Sequence, residues 1–189
     1  MTDDLHTLRR REGIVFLVAF ALCIPAANWF ILHVGTVCDP QGPCLVPVAP
    51  GVLAPSGVLM VGLALVLRDL IQRRLGVKVA AAGIVAGALL SAFFAPPHLV
   101  VASAAAFLLS ETADLLVYTP LQKKGLVLAV AASSAIGLVI DSLVFLYLAF
   151  GSLAFLEGQV IGKAWMVLLA LPVIAWLRRR DERLGLTPA

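Results

Sequence analysis

Charge is scarce in this 189-residue chain: Asp, Glu, Lys and Arg together make up 13% of it. An ordinary soluble domain carries about 25%. With 61% of residues hydrophobic and a mean hydropathy of +1.03, too little polar surface remains to cover a core in water. That excludes a cytosolic enzyme, a disordered chain and a secreted disulfide scaffold. Cysteine is sparse too: Cys23, Cys38 and Cys44 form neither a disulfide framework nor a zinc-ligand spacing. Histidine occurs only at His6, His33 and His98, outside the interiors of the apolar runs. A His-based catalytic triad and an HExxH helix are therefore both missing. No phosphate-cradling P-loop occurs, so the chain itself does not hydrolyse ATP. No polar stretch is long enough for a separate soluble domain.

What is present is a series of long apolar runs, at 14–34, 52–70, 78–95, 98–118, 126–150 and 159–177. Each is near the roughly 20 residues that a helix needs to cross the hydrocarbon. Their length and lack of period-2 alternation predict helices. The expected fold is an all-α integral membrane protein, with six transmembrane helices in one bundle. Residues 1–13 form an N-terminal segment, 14–177 the membrane domain and 178–189 a basic tail. The first run follows Arg9, Arg10 and Arg11 as a signal sequence would, but it is long enough to span and no small-x-small cleavage site closes it. "FALC" (20–23) is a poor lipid-attachment box. A retained first helix is expected.

Net charge is +3, and its placement argues for orientation control and against nucleic-acid binding. Thirteen of the 14 basic residues fall before helix 1, around the helix 2–3 and 4–5 loops, or in the tail; Lys163 alone lies inside a helix. The loops 35–51, 96–97 and 151–158 have none. The positive-inside rule then places both termini in the cytoplasm, in a multi-pass protein of the cell's inner membrane. The long outer loop holds Pro40, Pro43, Pro47 and Pro50, which resist regular helix, so an extended or re-entrant piece is expected before Pro55, Ser56 and Gly57 open helix 2. Cys38 and Cys44 there are either a short-loop disulfide or two free thiols. A metal site made from them with His33 and His98 is not expected, nor is any cofactor.

A charge at the bilayer centre costs at least about 2.5–3.5 kcal/mol on insertion scales, so each one needs a reason. Glu111, Asp114, Asp141 and Lys163 are the clear cases. Counting along the runs at about 1.5 Å per residue puts Asp141 and Lys163 in the outer third of the membrane, where an ion pair between helices 5 and 6 would neutralise both. Glu111 and Asp114 fall deeper, in a layer with Arg68 and Asp69. Neither acid has an obvious full set of cationic partners, and Arg68 and Asp69 look like a helix end beside water. Glu111, Asp114 and Tyr118 share one helix face; Ser134, Gly137 and Asp141 share another. Both stripes should face the bundle interior. Gly137 allows close helix approach. Ser133 and Ser134 could bond back to their own helix.

In order and spacing, "AANWF" (26–30), "RDLIQRRLG" (68–76), "ETADLLVYTPLQKK" (111–124), "SSAIGLVIDSLVFLYLAFG" (133–151) and "GQVIGKAWMVLLALP" (158–172) resemble the VUT family of vitamin-uptake transporters, also called queuosine-precursor transporters. The family pattern is matched by Asn28 in helix 1, Asp69 and Gly76 closing helix 2, and Glu111 and Asp114 in helix 4. It is also matched by Ser133, Gly137, Asp141 and Ser142 in helix 5 and by Lys163 in helix 6. Two positions depart from it: Glu111 stands where Gln is common, and Leu138 where an Asn often follows the Gly.

The resemblance implies import of a 7-deazaguanine, such as 7-cyano-7-deazaguanine. The residues suit such a solute in their own right. A carboxylate accepts two N–H groups from a guanine-type edge; Glu111, Asp114 or Asp141 could do so, and Asn28 could both donate and accept. Trp29, Phe30, Phe93, Phe94 and Phe107 are candidate stacking rings. The expected solute site thus comprises Asn28, Asp69, Glu111, Asp114, Ser134, Asp141 and Lys163. Acids within the membrane also suit proton or ion coupling. The competing reading is a substrate-binding membrane subunit of an energy-coupling-factor vitamin transporter. A membrane enzyme is disfavoured, because Asp114 and Asp141 fall at different depths and all three histidines lie outside the helix interiors. Expected partners are the purine-like solute and the bilayer, with a homo-oligomer left open.

Overall fold

The computed structural model describes residues 2–38 and 42–186. Six helices run through it: α1 (Thr2–His33), α2 (Val58–Leu75), α3 (Val77–Phe94), α4 (Val100–Leu121), α5 (Leu126–Phe150) and α6 (Leu156–Leu184). Helix α4 packs on α3 and α5, α2 on α1 and α6, and α5 on α6. Five of the six are long and apolar enough to cross a membrane by length and composition. The other, α2, is 18 residues long and carries Arg68, Asp69, Arg73 and Arg74 in its second half. Two apolar clusters fill the interior, one around Val66, Tyr118, Val130 and Ile174 and the other around Phe20, Ile24, Leu67 and Ile71.

The expected helix 2 is shifted. Val52–Pro55, read as its first turn, is instead strand β3, and α2 begins only at Val58. With β1 (Val37–Cys38) and β2 (Cys44–Ala49) it forms a three-stranded antiparallel sheet, which an all-α description omits. The prolines explain this: a backbone short of N–H donors cannot sustain a helical ladder, and Pro50–Gly51 fits a tight turn with Gly51 at φ 74°. The sheet caps one end of the bundle. Val48 O accepts from Trp165 Nε1 at 2.9 Å, and Ser56 Oγ donates to Phe30 O at 2.7 Å. Cys38 and Cys44, paired across β1 and β2, are joined by a disulfide. Pro40 lies outside the described residues.

The helix ends also run past the apolar limits. Helix α1 starts at Thr2, and α6 continues through Arg178–Arg183 to Leu184, so most of the basic tail is helical. Ion pairs hold this end together, because Asp181 is fully buried and accepts from Arg73 and Arg74. Arg74 also reaches Glu12 at 2.8 Å, linking α1, α2 and α6.

Candidate functional site

Close helix crossings set the positions of the buried polar groups. Gly62 on α2 lies against α6: a Cβ there would come within 2.7 Å of Lys163 O and 2.9 Å of its Cα. Gly137 on α5 lies against α2 and α4, where a Cβ would meet Leu65 of α2 at 2.9 Å and Asp114 Cβ of α4 at 3.2 Å. Without side chains at these two points, the backbones bring charged residues from α2, α4, α5 and α6 into the interior.

The first polar layer is the pair expected between helices 5 and 6. Lys163 Nζ lies 2.6 Å from Asp141 Oδ2. It also donates to Ser142 Oγ at 2.8 Å and to Gln159 Oε1 at 2.6 Å, so all three of its N–H bonds have acceptors. Asp141 keeps one oxygen free for more: Oδ1 receives only a long 3.4 Å contact from Ser110 Oγ. Gln159 and Ser110 are additions to the expected set. Gln159 could have been found, since it precedes Lys163 by four residues on one helix. Ser110 carries no such signal.

This pair borders a cavity that is partly open, with about 730 Å³ of space when the solvent at its mouth is included. Asn28, Asp141 and Lys163 line it, with Gln159, Phe107 and Phe145. The rest of its wall is mostly aliphatic. Asn28 Nδ2 donates to Ile24 O on its own helix at 2.9 Å, leaving the amide oxygen as acceptor. Of the expected stacking rings only Phe107 reaches the cavity. Trp29 and Phe93 are turned outward, 54% and 81% exposed, as suits rings against lipid. Phe145, four residues after Asp141 on the same face, is the second ring.

The second layer differs from expectation in one respect. Arg68, read as a residue at a helix end beside water, is fully buried. Because α2 begins late and runs to Leu75, Arg68 sits about two turns inside it. Its guanidinium supplies the cation that Glu111 and Asp114 seemed to lack. It contacts Asp69 at 2.6 Å and Glu111 at 3.3 Å, pairs closely with Asp114, and donates to Gln72 Oε1 at 3.0 Å. The Tyr118 ring lies 5.5 Å from its Cζ. Ser133 donates to Asp69 Oδ2 at 2.8 Å, so its hydroxyl reaches across to α2 as well as back to Val130 O. Ser134 is buried, and its Oγ has no partner among the described residues. Asp69, Glu111, Asp114 and Ser134 are all interior, yet none of them lines the cavity. The seven expected residues thus divide between two places.

Comparison with curated proteins and with solved structures returns no match. Residues 90–177, from the end of α3 into α6, match the model of the family described as Putative vitamin uptake transporter. That segment contains Glu111, Asp114, Ser134, Asp141 and Lys163, while Asn28 and Asp69 precede it.

Proposed function

We propose that the chain is a membrane importer of a planar, purine-like solute, a 7-deazaguanine such as 7-cyano-7-deazaguanine, driven by a proton or ion gradient. The observation that carries this reading is the cavity bordered by the Asp141–Lys163 pair. A guanine-type edge offers adjacent N–H donors and a carbonyl acceptor. Asp141 Oδ1 is an acceptor with capacity left, Asn28 Oδ1 is a second, and the Lys163 ammonium can exchange its Gln159 or Ser142 acceptor for a carbonyl. Phe107 and Phe145 supply apolar faces for the ring. An aliphatic wall with a few convergent polar groups is the usual composition of a small-molecule site. In this reading the basic end, with both termini, faces the cytoplasm of a cell whose inner membrane holds the protein. The sheet and its disulfide then face outward.

Uptake of labelled 7-cyano-7-deazaguanine into cells unable to synthesise it is the test. Expression of the chain should restore uptake, and Asp141→Ala or Lys163→Ala should abolish it. Unchanged uptake in both variants would refute the site assignment. The energy-coupling-factor alternative requires a partner that hydrolyses ATP, so accumulation by the purified chain alone in liposomes separates the two.

A further inference from the structure

Charge counting in the second layer shows an imbalance. Arg68 supplies one positive charge, and Asp69, Glu111 and Asp114 would supply three negative ones, all on residues no more than 2% exposed. A surplus of two charges in an apolar interior costs far more than binding protons, so buried carboxyls in this position hold protons. The hydrogen bonds also show where the proton is most easily exchanged. Asp69 accepts from Ser133, and Asp114 Oδ1 accepts from Arg68. Asp69 Oδ1, Glu111 Oε2 and Asp114 Oδ2 are buried and receive no hydrogen bond among the described residues, although Asp69 Oδ1 lies 2.6 Å from Arg68 Nη2. Among the described residues the cation near Glu111 Oε2 is Arg68 Nε, at 3.3 Å and poorly aligned for a hydrogen bond. Of the three acids, Glu111 is the one that accepts no hydrogen bond among the described residues.

We propose that the Arg68–Asp69–Glu111–Asp114 cluster is a proton-binding site distinct from the solute cavity, with Glu111 as the exchanging carboxyl. The step is a simple protonation: a Glu111 carboxylate oxygen forms an O–H bond with an incoming proton, and release reverses it. The groups around Glu111 can be named element by element. Helix α2 presents Arg68 and Asp69, α4 presents Asp114 and Tyr118, and α5 presents Asp141, which α6 neutralises through Lys163. The one charged residue of α3, Lys78, is exposed at its start. Sequence neighbours connect the two sites, because Ser110 contacts Asp141 Oδ1 at the cavity and is followed at once by Glu111. A solute that takes up Asp141 Oδ1 therefore competes with the Ser110 contact and acts on the residue next to Glu111. The coupling part of this proposal rests on the transport reading; the proton site itself does not.

Infrared difference spectroscopy of the purified chain in lipid, with no solute added, tests the site directly. At neutral pH the wild type should show a protonated-carboxyl carbonyl band that shifts on deuterium exchange. Glu111→Gln should lose the Glu111 share of that band and keep the share of the second protonated acid, and Glu111→Asp should regain the lost share at a shifted pH. Absence of the band in the wild type would overturn the proposal. So would a band of undiminished intensity in Glu111→Gln, or ionised acids whose charge is balanced by sodium, seen as a sodium-dependent rise in thermal stability. Solute affinity at acid and alkaline pH tests the coupling. The wild type should differ between the two within the ~5–150-fold range typical of coupled sites, and Glu111→Gln by less than about twofold. A band that behaves as expected with no 7-deazaguanine binding at any pH would leave the proton site standing and remove the transport reading.

Discussion

Lys163 Nζ and Asp141 Oδ2 stand 2.6 Å apart inside the bundle, and the remaining ammonium hydrogens go to Ser142 and Gln159. A pair this enclosed is sensitive to loss of one member. Lys163→Met or Asp141→Leu alone strands a buried charge, at a cost of about 3–5 kcal/mol. The double variant removes both charges and should recover most of that stability. The fold-holding role of the pair and its proposed solute-binding role are separable in this way. Denaturation of the three variants checks the first. The solute-induced shift in melting temperature, absent even in the restored double variant, checks the second.

Helix spacing at Gly62 gives a second prediction. A Cβ at this position would push on the backbone of Lys163, which no rotamer change can relieve. Gly62→Ala should cost about 1–3 kcal/mol, the usual range for overpacking. It should also displace Lys163 from Asp141, so solute affinity falls along with stability. Gly51, with open space around its Cα, provides a contrast: Gly51→Ala opposes only its positive φ and should leave solute binding unchanged.

Asp181 ties the terminal ends of the bundle. It is buried, accepts from Arg73 and Arg74, and lies far from the cavity. Asp181→Asn keeps the shape and removes the charge that both arginines face. A loss of about 3 kcal/mol is expected, toward the low end for a broken buried pair because water is close to this end. Thermal unfolding should shift down while the solute-induced increment stays the same.

Thiol counting checks the sheet. Cys23 is the free cysteine, and Cys38 and Cys44 are bridged. Alkylation under denaturing conditions should modify one cysteine without reductant and three with it. Cys38→Ser should lower stability by about 2 kcal/mol, since the closed loop is short. An alkylation count of three without reductant would contradict the bridge.

The helices were largely legible from the sequence. The run 126–150 coincides with α5, and 78–95 falls within one residue of α3, because uninterrupted apolar length is a strong signal. Helix 2 was not, since hydropathy does not register which carbonyls lack partners. Val52–Pro55 is as apolar as a helix start, yet it pairs with β2. The Asp141–Lys163 pair followed from depth alone, as both residues lie a similar distance from the same face. Arg68 was misplaced because its depth depended on where α2 begins, and six residues are more than one and a half helical turns. Which acids border the cavity could not be read at all. Asp114 and Asp141 both occupy inward faces, and only the close crossing at Gly137 puts Asp114 behind α5.

The central claim is that this chain by itself moves a 7-deazaguanine across a bilayer through the cavity at Asp141 and Lys163. Uptake of labelled 7-cyano-7-deazaguanine into liposomes containing only the purified chain, with an imposed proton gradient, tests it most directly. The account predicts accumulation that collapses with the gradient and is absent in Lys163→Ala. No accumulation by folded wild-type protein, or equal accumulation by the variant, would contradict it.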